Sequence, residues 1–290
     1  MVEIVMVTPR KSRLASVSGL LEMVSLMELR EFLFQPLESR SFRFAIRARE
    51  AGILSGAIDL GERAGEIGLE IISLLPEGAS LAPGKAVLVA RGSAEKVARA
   101  EEMLPGAIGK PSGVATAAAA MVRRAGGMKV VCGAWKKVDS SIRAELRRAV
   151  LTGGAGIRIS DHPFVYLDKN YVRMFGDVQR AVNRAKSYDS GRLVAVQLRG
   201  EERAIAAEAS AALAGGADIL MVDTGRLEDL EAVAREGHVG GWRGKVQLAF
   251  GGGVTLRTVV EVAAAGAEIV DVGRAIIDAP LLDFGLDVEE

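Results

Sequence analysis

The sequence predicts an α/β protein in which a mixed α+β region precedes an incomplete (β/α) barrel. Three observations carry this expectation. From Lys129 onward, short apolar strands alternate with helical stretches of roughly 10–15 residues, the pattern of a parallel sheet. Between Phe42 and Leu104 the order is strand, helix, strand, strand, helix, with no repeating unit. The stretch Val246–Val272 reads as strand, glycine turn, helix and second strand, and ends in Gly273 and Arg274.

Composition bounds the function. The chain has 290 residues, 49% of them hydrophobic, enough for one large or two modest domains with a substantial core. Lys plus Arg balance Asp plus Glu at 37 each, so no bulk field draws nucleic acid or an acidic membrane, and any basic site is local. Cys132 is the single cysteine, which excludes an intrachain disulfide. With only His162 and His238, a histidine-rich metal site is not expected. The start, MVEIVMVTPRKSR, lacks the order of a signal peptide, and no run of 18 apolar residues is present, so a soluble cytoplasmic protein is expected.

In chain order, Leu20–Phe34 places Leu, Met and Val at helical spacing and reads as a core or dimer-contact helix. A strand begins at Phe42, and a helix is expected over Leu60–Leu69. Glu70–Leu75 and Ala86–Ala90 read as strands around a turn at Pro76–Gly84, and Ser93–Leu104 as a helix with Ser93 as N-cap. Lys110-Pro111-Ser112-Gly113 reads as punctuation, followed by an alanine-rich helix over Val114–Ala125 that Gly126-Gly127 ends. Strands are then expected at Lys129–Cys132, Gly156–Ile159, Phe164–Leu167, Leu193–Leu198, Asp218–Val222, Val246–Ala249 and Ile269–Val272. Helices are expected at Ser140–Leu151, Asp177–Lys186, Glu201–Ala214 and Leu227–Glu236. The domain boundaries implied are 1–111 and 112–275, with the tail 276–290 returning to the first domain as a strand.

The glycines of the last unit point to an anion. Gly251, Gly252 and Gly253 carry no Cβ, so their amides can approach a ligand closely. Gly273 leads into Arg274, where the first amides of a helix are free and carry the positive end of its dipole. Two such turns after consecutive late strands are how (β/α) barrels hold a phosphate.

Several motifs resemble the quinolinate phosphoribosyltransferase family, also called nicotinate-nucleotide pyrophosphorylases. Ser112-Gly113-Val114-Ala115-Thr116 is similar to its SGIAT signature, and Leu281–Asp287 to its LDISLD-type tail. Gly251–Gly253 and Val272-Gly273 fall where it has SGG and VGA turns. Gly153-Gly154 matches its GGG, and Glu50–Gly56 resembles its EAG-x-x-x-G strand. The likeness runs from about Phe42 to Asp287. It implies an N-terminal α/β sandwich, a C-terminal incomplete α/β barrel and a homodimer or higher homo-oligomer with a shared site. It also implies transfer of phosphoribosyl from phosphoribosyl pyrophosphate, with Mg²⁺, to an aromatic base.

The residues carried over from the family pattern are mixed. Its T-R-K motif falls on Trp135-Lys136-Lys137, which keeps the lysine but replaces the arginine fork by Lys136. Its His-Arg pair falls on Ile157-Arg158, and its K-D-N-H near Asp168-Lys169-Asn170-Tyr171. Gln197 and Ala249 stand where it has acidic residues, Glu102 where an arginine reaches into the partner's site, and Ile277 where it has a histidine. Asp223 keeps an acid at a strand end.

These residues suit the chemistry. Displacing pyrophosphate from a ribose carbon develops positive charge on carbon and negative charge on the leaving group. Lys136, Lys137, Arg158 and Lys169 are the candidate cations, with Lys137 the candidate catalytic one and the others substrate- or phosphate-binding. Asp223 is the candidate group for ribose hydroxyls or hydrated Mg²⁺, or else a cap for the next helix. Asp271 reads as a structural hydrogen-bonding residue. Trp135 either stacks on a base or fills the base pocket. Asp161-His162-Pro163 reads as a turn, His238 as a loop residue, and Cys132 as a buried, inert thiol. Three functions stay open on this reading: a phosphoribosyltransferase acting on an altered base, a repurposed relative that binds a phosphorylated ligand or a partner, or a different barrel enzyme that acts on a sugar phosphate and shares only the phosphate site.

Overall fold

The computed structural model describes residues 32–289, so most of the helical stretch at Leu20–Phe34 lies outside the described residues. The N-terminal part is built on a four-stranded antiparallel sheet. Its strands are β1 (Phe42–Ala48), β3 (Glu70–Leu74), β5 (Ala86–Gly92) and β12 (Phe284–Val288), in the order β12-β1-β5-β3. A two-residue pair, β2 (Gly52–Ile53) with β4 (Ser80–Leu81), lies beside it. The chain's tail does return: Ala48 pairs with Phe284 and Phe44 with Val288. Helix α1 (Ala57–Ile67) packs its buried stripe of Ala57, Leu60, Ala64 and Ile67 into the core with Phe44, Ile46, Leu88 and Leu104. It starts three residues before the expected position because Gly56, at φ +93°, turns the chain and Glu77 caps the helix from a distant loop.

The expected break at Lys110–Gly113 is absent. Helix α2 (Ala94–Arg124) runs for 31 residues through Pro105 and Pro111, and Ser93 caps it without a side-chain hydrogen bond. An interior proline costs about 3 kcal/mol in isolation. Here the surroundings keep the helix continuous through that penalty. Ser112 Oγ accepts from Ser55 N at 3.0 Å and donates to Ser55 O at 3.2 Å. Thr116 Oγ1 accepts from Ile53 N at 2.9 Å, and Lys110 Nζ donates to Ala279 O at 2.6 Å. A Cβ on Gly113 would fall 1.9 Å from Pro280 O, so only glycine lets the returning tail cross there. The Ser112–Thr116 motif is therefore a lock between the two halves of the molecule, and α2 belongs to both.

The second half is a six-stranded, all-parallel curled sheet of β6 (Lys129–Val131), β7 (Phe164–Leu167), β8 (Leu193–Leu198), β9 (Ile219–Val222), β10 (Gln247–Gly251) and β11 (Ile269–Asp271), ordered β6-β11-β10-β9-β8-β7. Helices α3 (Arg143–Thr152), α4 (Lys169–Phe175), α5 (Val178–Tyr188), α6 (Ile205–Ala214), α7 (Leu227–Val239) and α8 (Val259–Ala264) follow the strands, and the single turn α9 (Arg274–Ile277) closes the set. The expected strand at Gly156–Ile159 is only a bridge from Gly156 to Val131, which leaves the barrel incomplete. Ile159 still enters the barrel interior with Val131, Ala195, Ile219, Met221, Ala249 and Ile269. α4 was not foreseen: its seven residues follow the Asp168 cap, which accepts from Asn170 N and Tyr171 N. His238 lies in the last turn of α7, not in a loop. Among the described residues, no helix is long and apolar enough to cross a membrane.

Candidate active site

The carboxyl ends of the barrel strands open into one cavity of about 1010 Å³. Nine of the ten expected site residues line it: Lys136, Lys137, Arg158, Lys169, Asp223, Gly252, Gly253, Gly273 and Arg274. They come from six different stretches of chain, brought together because parallel strands point their carboxyl ends the same way.

The exception is Gly251. It is buried as the last residue of β10, and its carbonyl accepts from Gly225 N at 3.1 Å. Its missing side chain serves neighbours instead of an anion. A Cβ there would meet Met221 Cε at 2.6 Å and Asp223 Oδ1 at 3.2 Å, so glycine makes room for the carboxylates.

The two turns present bare amides. Among the described residues, no protein group accepts a hydrogen bond from the main-chain N–H of Gly252, Gly253, Gly273 or Arg274. Gly252 and Gly253 sit at φ +103° and +76°, conformations that glycine alone adopts at low cost. The helix dipole expected at Arg274 is a correction: α9 has four residues, so what the turn offers is its free N–H groups rather than a macrodipole.

Trp135, Lys136 and Lys137 leave β6 on a 3-10 turn, Ala134–Lys137. The turn sends them to different places. Trp135 is buried in the core, its indole N–H donating to Ile157 O at 3.1 Å. Lys136 swings outward to Asp168 Oδ2 at 2.6 Å, with its side chain 83% exposed. Its ammonium holds the Asp168 carboxyl below the usual range. Lys137 and Arg158 remain on the cavity wall, and Lys169 follows the Asp168 cap with its main-chain N bonded to Gln197 Oε1 at 2.7 Å.

Asp223 is not a helix cap, since α7 begins after Arg226. Its carboxylate takes a hydrogen bond from Gln197 Nε2 and lies 3.5 Å from Arg199 Nη1. Burial raises its pKa, while Arg199, Gln197, Lys169 and Lys137 oppose the rise. Asp271 accepts from Gly133 N at 2.7 Å, as a structural residue should, and also lines the cavity. Burial, reinforced by the nearby Asp223 charge, pushes its carboxyl up to about 6. Tyr166 stands at the same end of the barrel, its phenol pushed up by burial and then by Asp223, Asp271 and Asp168. Burial likewise raises the Cys132 thiol to about 11, consistent with an inert cysteine.

Sequence reasoning passed over Arg147, Tyr166 and the cavity face of Asp271. The signal for Asp271 was present, as an acid inside an otherwise apolar strand. Arg147 gave none, because α3 carries several arginines and only the fold shows which faces the cavity. His162 and His238 stay outside the cavity lining.

Comparisons with known proteins agree with this architecture. Residues 114–287 match the family model of the quinolinate phosphoribosyl transferase C-terminal domain, and residues 14–112 that of its N-terminal domain. The two matches meet inside α2. A probable nicotinate-nucleotide pyrophosphorylase (carboxylating) of Archaeoglobus fulgidus is 28% identical over 261 residues, covering 87% of this chain and 96% of that protein. The human nicotinate-nucleotide pyrophosphorylase (carboxylating) is 29% identical over 248 residues, covering 83% of this chain and 80% of that one. The nicotinate-nucleotide pyrophosphorylase structure from Francisella tularensis shares the fold with a TM-score of 0.76 at 24% identity, over 89% of this chain and 90% of that one. The one from Pyrococcus furiosus gives 0.77 at 20% identity, over 99% and 78%. With both domains matched across most of its length, the chain belongs to the quinolinate phosphoribosyl transferase family.

Proposed function

We propose that the protein transfers phosphoribosyl from phosphoribosyl pyrophosphate to a pyridine-carboxylate-type base and releases pyrophosphate. The observation that carries this reading is the pairing of two bare-amide turns, Gly252-Gly253 and Gly273-Arg274, with Lys137, Arg158, Lys169 and Asp223 around one cavity. In the transfer, the bond from the ribose carbon to a pyrophosphate oxygen breaks, and a bond from that carbon to a ring nitrogen of the base forms. The free amides hold the phosphate of the ribose. Lys137 and Lys169 take up charge on the departing pyrophosphate, and Arg158 with Lys137 orients the acid group of the base. Asp223 faces the developing positive charge on the sugar.

The donor set fits Mg²⁺. One or two carboxylates plus substrate oxygens make its ordinary shell, and Asp223 with Asp271 supply that number at the cavity wall. Bound there with the diphosphate, Mg²⁺ would supply charge neutralisation of the leaving group.

A second reading, a repurposed relative that binds a phosphorylated ligand without turnover, is favoured by the Gln197–Asp223 bond, which satisfies the carboxylate internally. Incubation with phosphoribosyl pyrophosphate, Mg²⁺ and a panel of pyridine mono- and dicarboxylates separates the two. Pyrophosphate release that depends on one acid supports transfer. Calorimetric binding of phosphoribosyl pyrophosphate with no release under any acid supports the second reading and refutes the first.

A further inference from the structure

The family's two-pronged arginine is missing at Lys136, yet beside Arg158 and Arg274 the cavity contains a third guanidinium, from helix α3. Helix α3 carries Arg143, Arg147 and Arg148. Arg143 donates to Val138 O at 2.8 Å, and Arg148 pairs with Asp59 at 2.7 Å. Arg147 differs from both. Its side chain lines the cavity, and among the described residues no group accepts a hydrogen bond or forms an ion pair with it. Its guanidinium lies over the Trp135 ring, 5.2 Å from the centroid. That ring is itself fixed by its bond to Ile157 O.

We infer that Arg147, laid on Trp135, is a specificity-determining residue that reads a carboxylate of the acceptor base. This rests on the transferase reading above. A stacked guanidinium keeps its fork in one plane and loses little freedom when it grips a planar acid. Lys136 does not compete for that task, because Asp168 holds it at the cavity's exposed edge. The changes at Trp135 and Lys136 then make one replacement: the tryptophan supplies the platform, and the fork arrives from α3 instead of from the turn after β6.

The test is calorimetry on the full chain with two probes, pyridine-2,3-dicarboxylate and inorganic pyrophosphate with Mg²⁺. Arg147→Gln should weaken the dicarboxylate by about 10- to 100-fold, the loss of a charged hydrogen-bonded pair, and leave pyrophosphate within about twofold. Arg147→Lys, which keeps the charge without the fork, should fall between. If Arg147→Gln does not fold, Arg147→Lys decides by the same comparison. Unchanged dicarboxylate affinity in a folded variant overturns the inference, as does an equal loss for both probes, which marks a packing role. Wild-type protein that binds pyrophosphate but no dicarboxylate also overturns it, while leaving the phosphate half of the transferase reading intact. Binding of neither probe by the wild type removes that reading itself.

Discussion

The indole N–H of Trp135 donates to the main-chain carbonyl of Ile157 across 3.1 Å. Both positions depart from the family pattern, and they touch. The tryptophan fills space beside the cavity and satisfies a carbonyl there, so the two changes act as a unit. Trp135→Phe removes the bond and keeps most of the ring, which should cost about 1 kcal/mol. Trp135→Ala leaves a cavity as well and should cost about 3–5 kcal/mol. Urea unfolding of the two variants measures both, and equal losses would show that the hydrogen bond rather than the packing dominates.

Asp271 gives the stability a pH dependence of definite sign. Burial pushes its carboxyl up to about 6 in the folded state from the ordinary aspartate value of 3.8. The folded chain therefore holds more protons than the unfolded chain between those values. The contribution is full below the lower value and is lost as pH rises through the upper one. Asp271→Asn keeps an acceptor for Gly133 N and removes the buried charge. At pH 7.5 it should be more stable than wild type by about 1–3 kcal/mol, and the two should converge near pH 4. Thermal melts across that range decide. A variant less stable at pH 7.5 would mean that the charge holds the site together.

The glycines of the first turn are not equivalent. Around Gly253 a Cβ would find open space, so Gly253→Ala should cost only the left-handed backbone penalty, about 1–2 kcal/mol. At Gly252 a Cβ would sit 2.6 Å from Gly225 N, so Gly252→Ala must also push apart two backbone segments. Its melting temperature should fall further, and its affinity for ribose 5-phosphate, the group assigned to these amides, should drop by roughly tenfold or more as the amides rotate away. Calorimetry on the two variants checks the order.

Glu77 joins the halves of the molecule. Its Oε1 accepts from Ser55 Oγ at 2.6 Å and Thr152 Oγ1 at 2.8 Å, and its Oε2 accepts from Gly56 N and Ala57 N at 2.9 Å each. Thr152 ends α3 in the barrel, while the other three open α1. Glu77→Ala leaves the first amides of α1 without an acceptor and should destabilise by about 3 kcal/mol. Glu77→Gln retains an acceptor oxygen and should cost less. Equal denaturation midpoints for Glu77→Ala and wild type would refute the role.

What the sequence disclosed follows from the range of the forces involved. Alternating apolar strands and helices announced the barrel, because periodicity is written locally. The two glycine turns were legible because free amides need glycine nearby in the chain. Helix α2 was misread at Pro111, since the groups that hold it, Ser55 and the tail carbonyls at Ala279 and Pro280, are far away in sequence. Arg147 was invisible for the same reason. Its relation to Trp135 exists only once α3 folds back over the turn after β6. Gly251 was read as an anion ligand because three consecutive glycines look alike until one of them is seen to lie inside a strand.

Gln197 shows how a single neutral side chain sets the electrostatics of the site. Its amide donates to Asp223 and its oxygen accepts from Lys169 N, so it bridges the ends of β8 and β9 to the start of α4 without adding charge. The family pattern has an acid at this position. Gln197→Glu would keep the bond to Lys169 N but place a second carboxylate against Asp223, where like charges in contact cannot both ionise freely. One carboxyl of the pair would then titrate well above its unfolded value, so the stability it contributes would be present at low pH and lost as pH rises. The variant should match wild type near pH 4 and fall below it by about 1–3 kcal/mol at pH 7.5. Added Mg²⁺ should recover part of that loss in the variant and less in wild type, because the variant adds a carboxylate in direct contact with Asp223 to the Asp223 and Asp271 pair already on this wall. Melts at both pH values, with and without Mg²⁺, would separate this from simple disruption of packing, which no cation would repair.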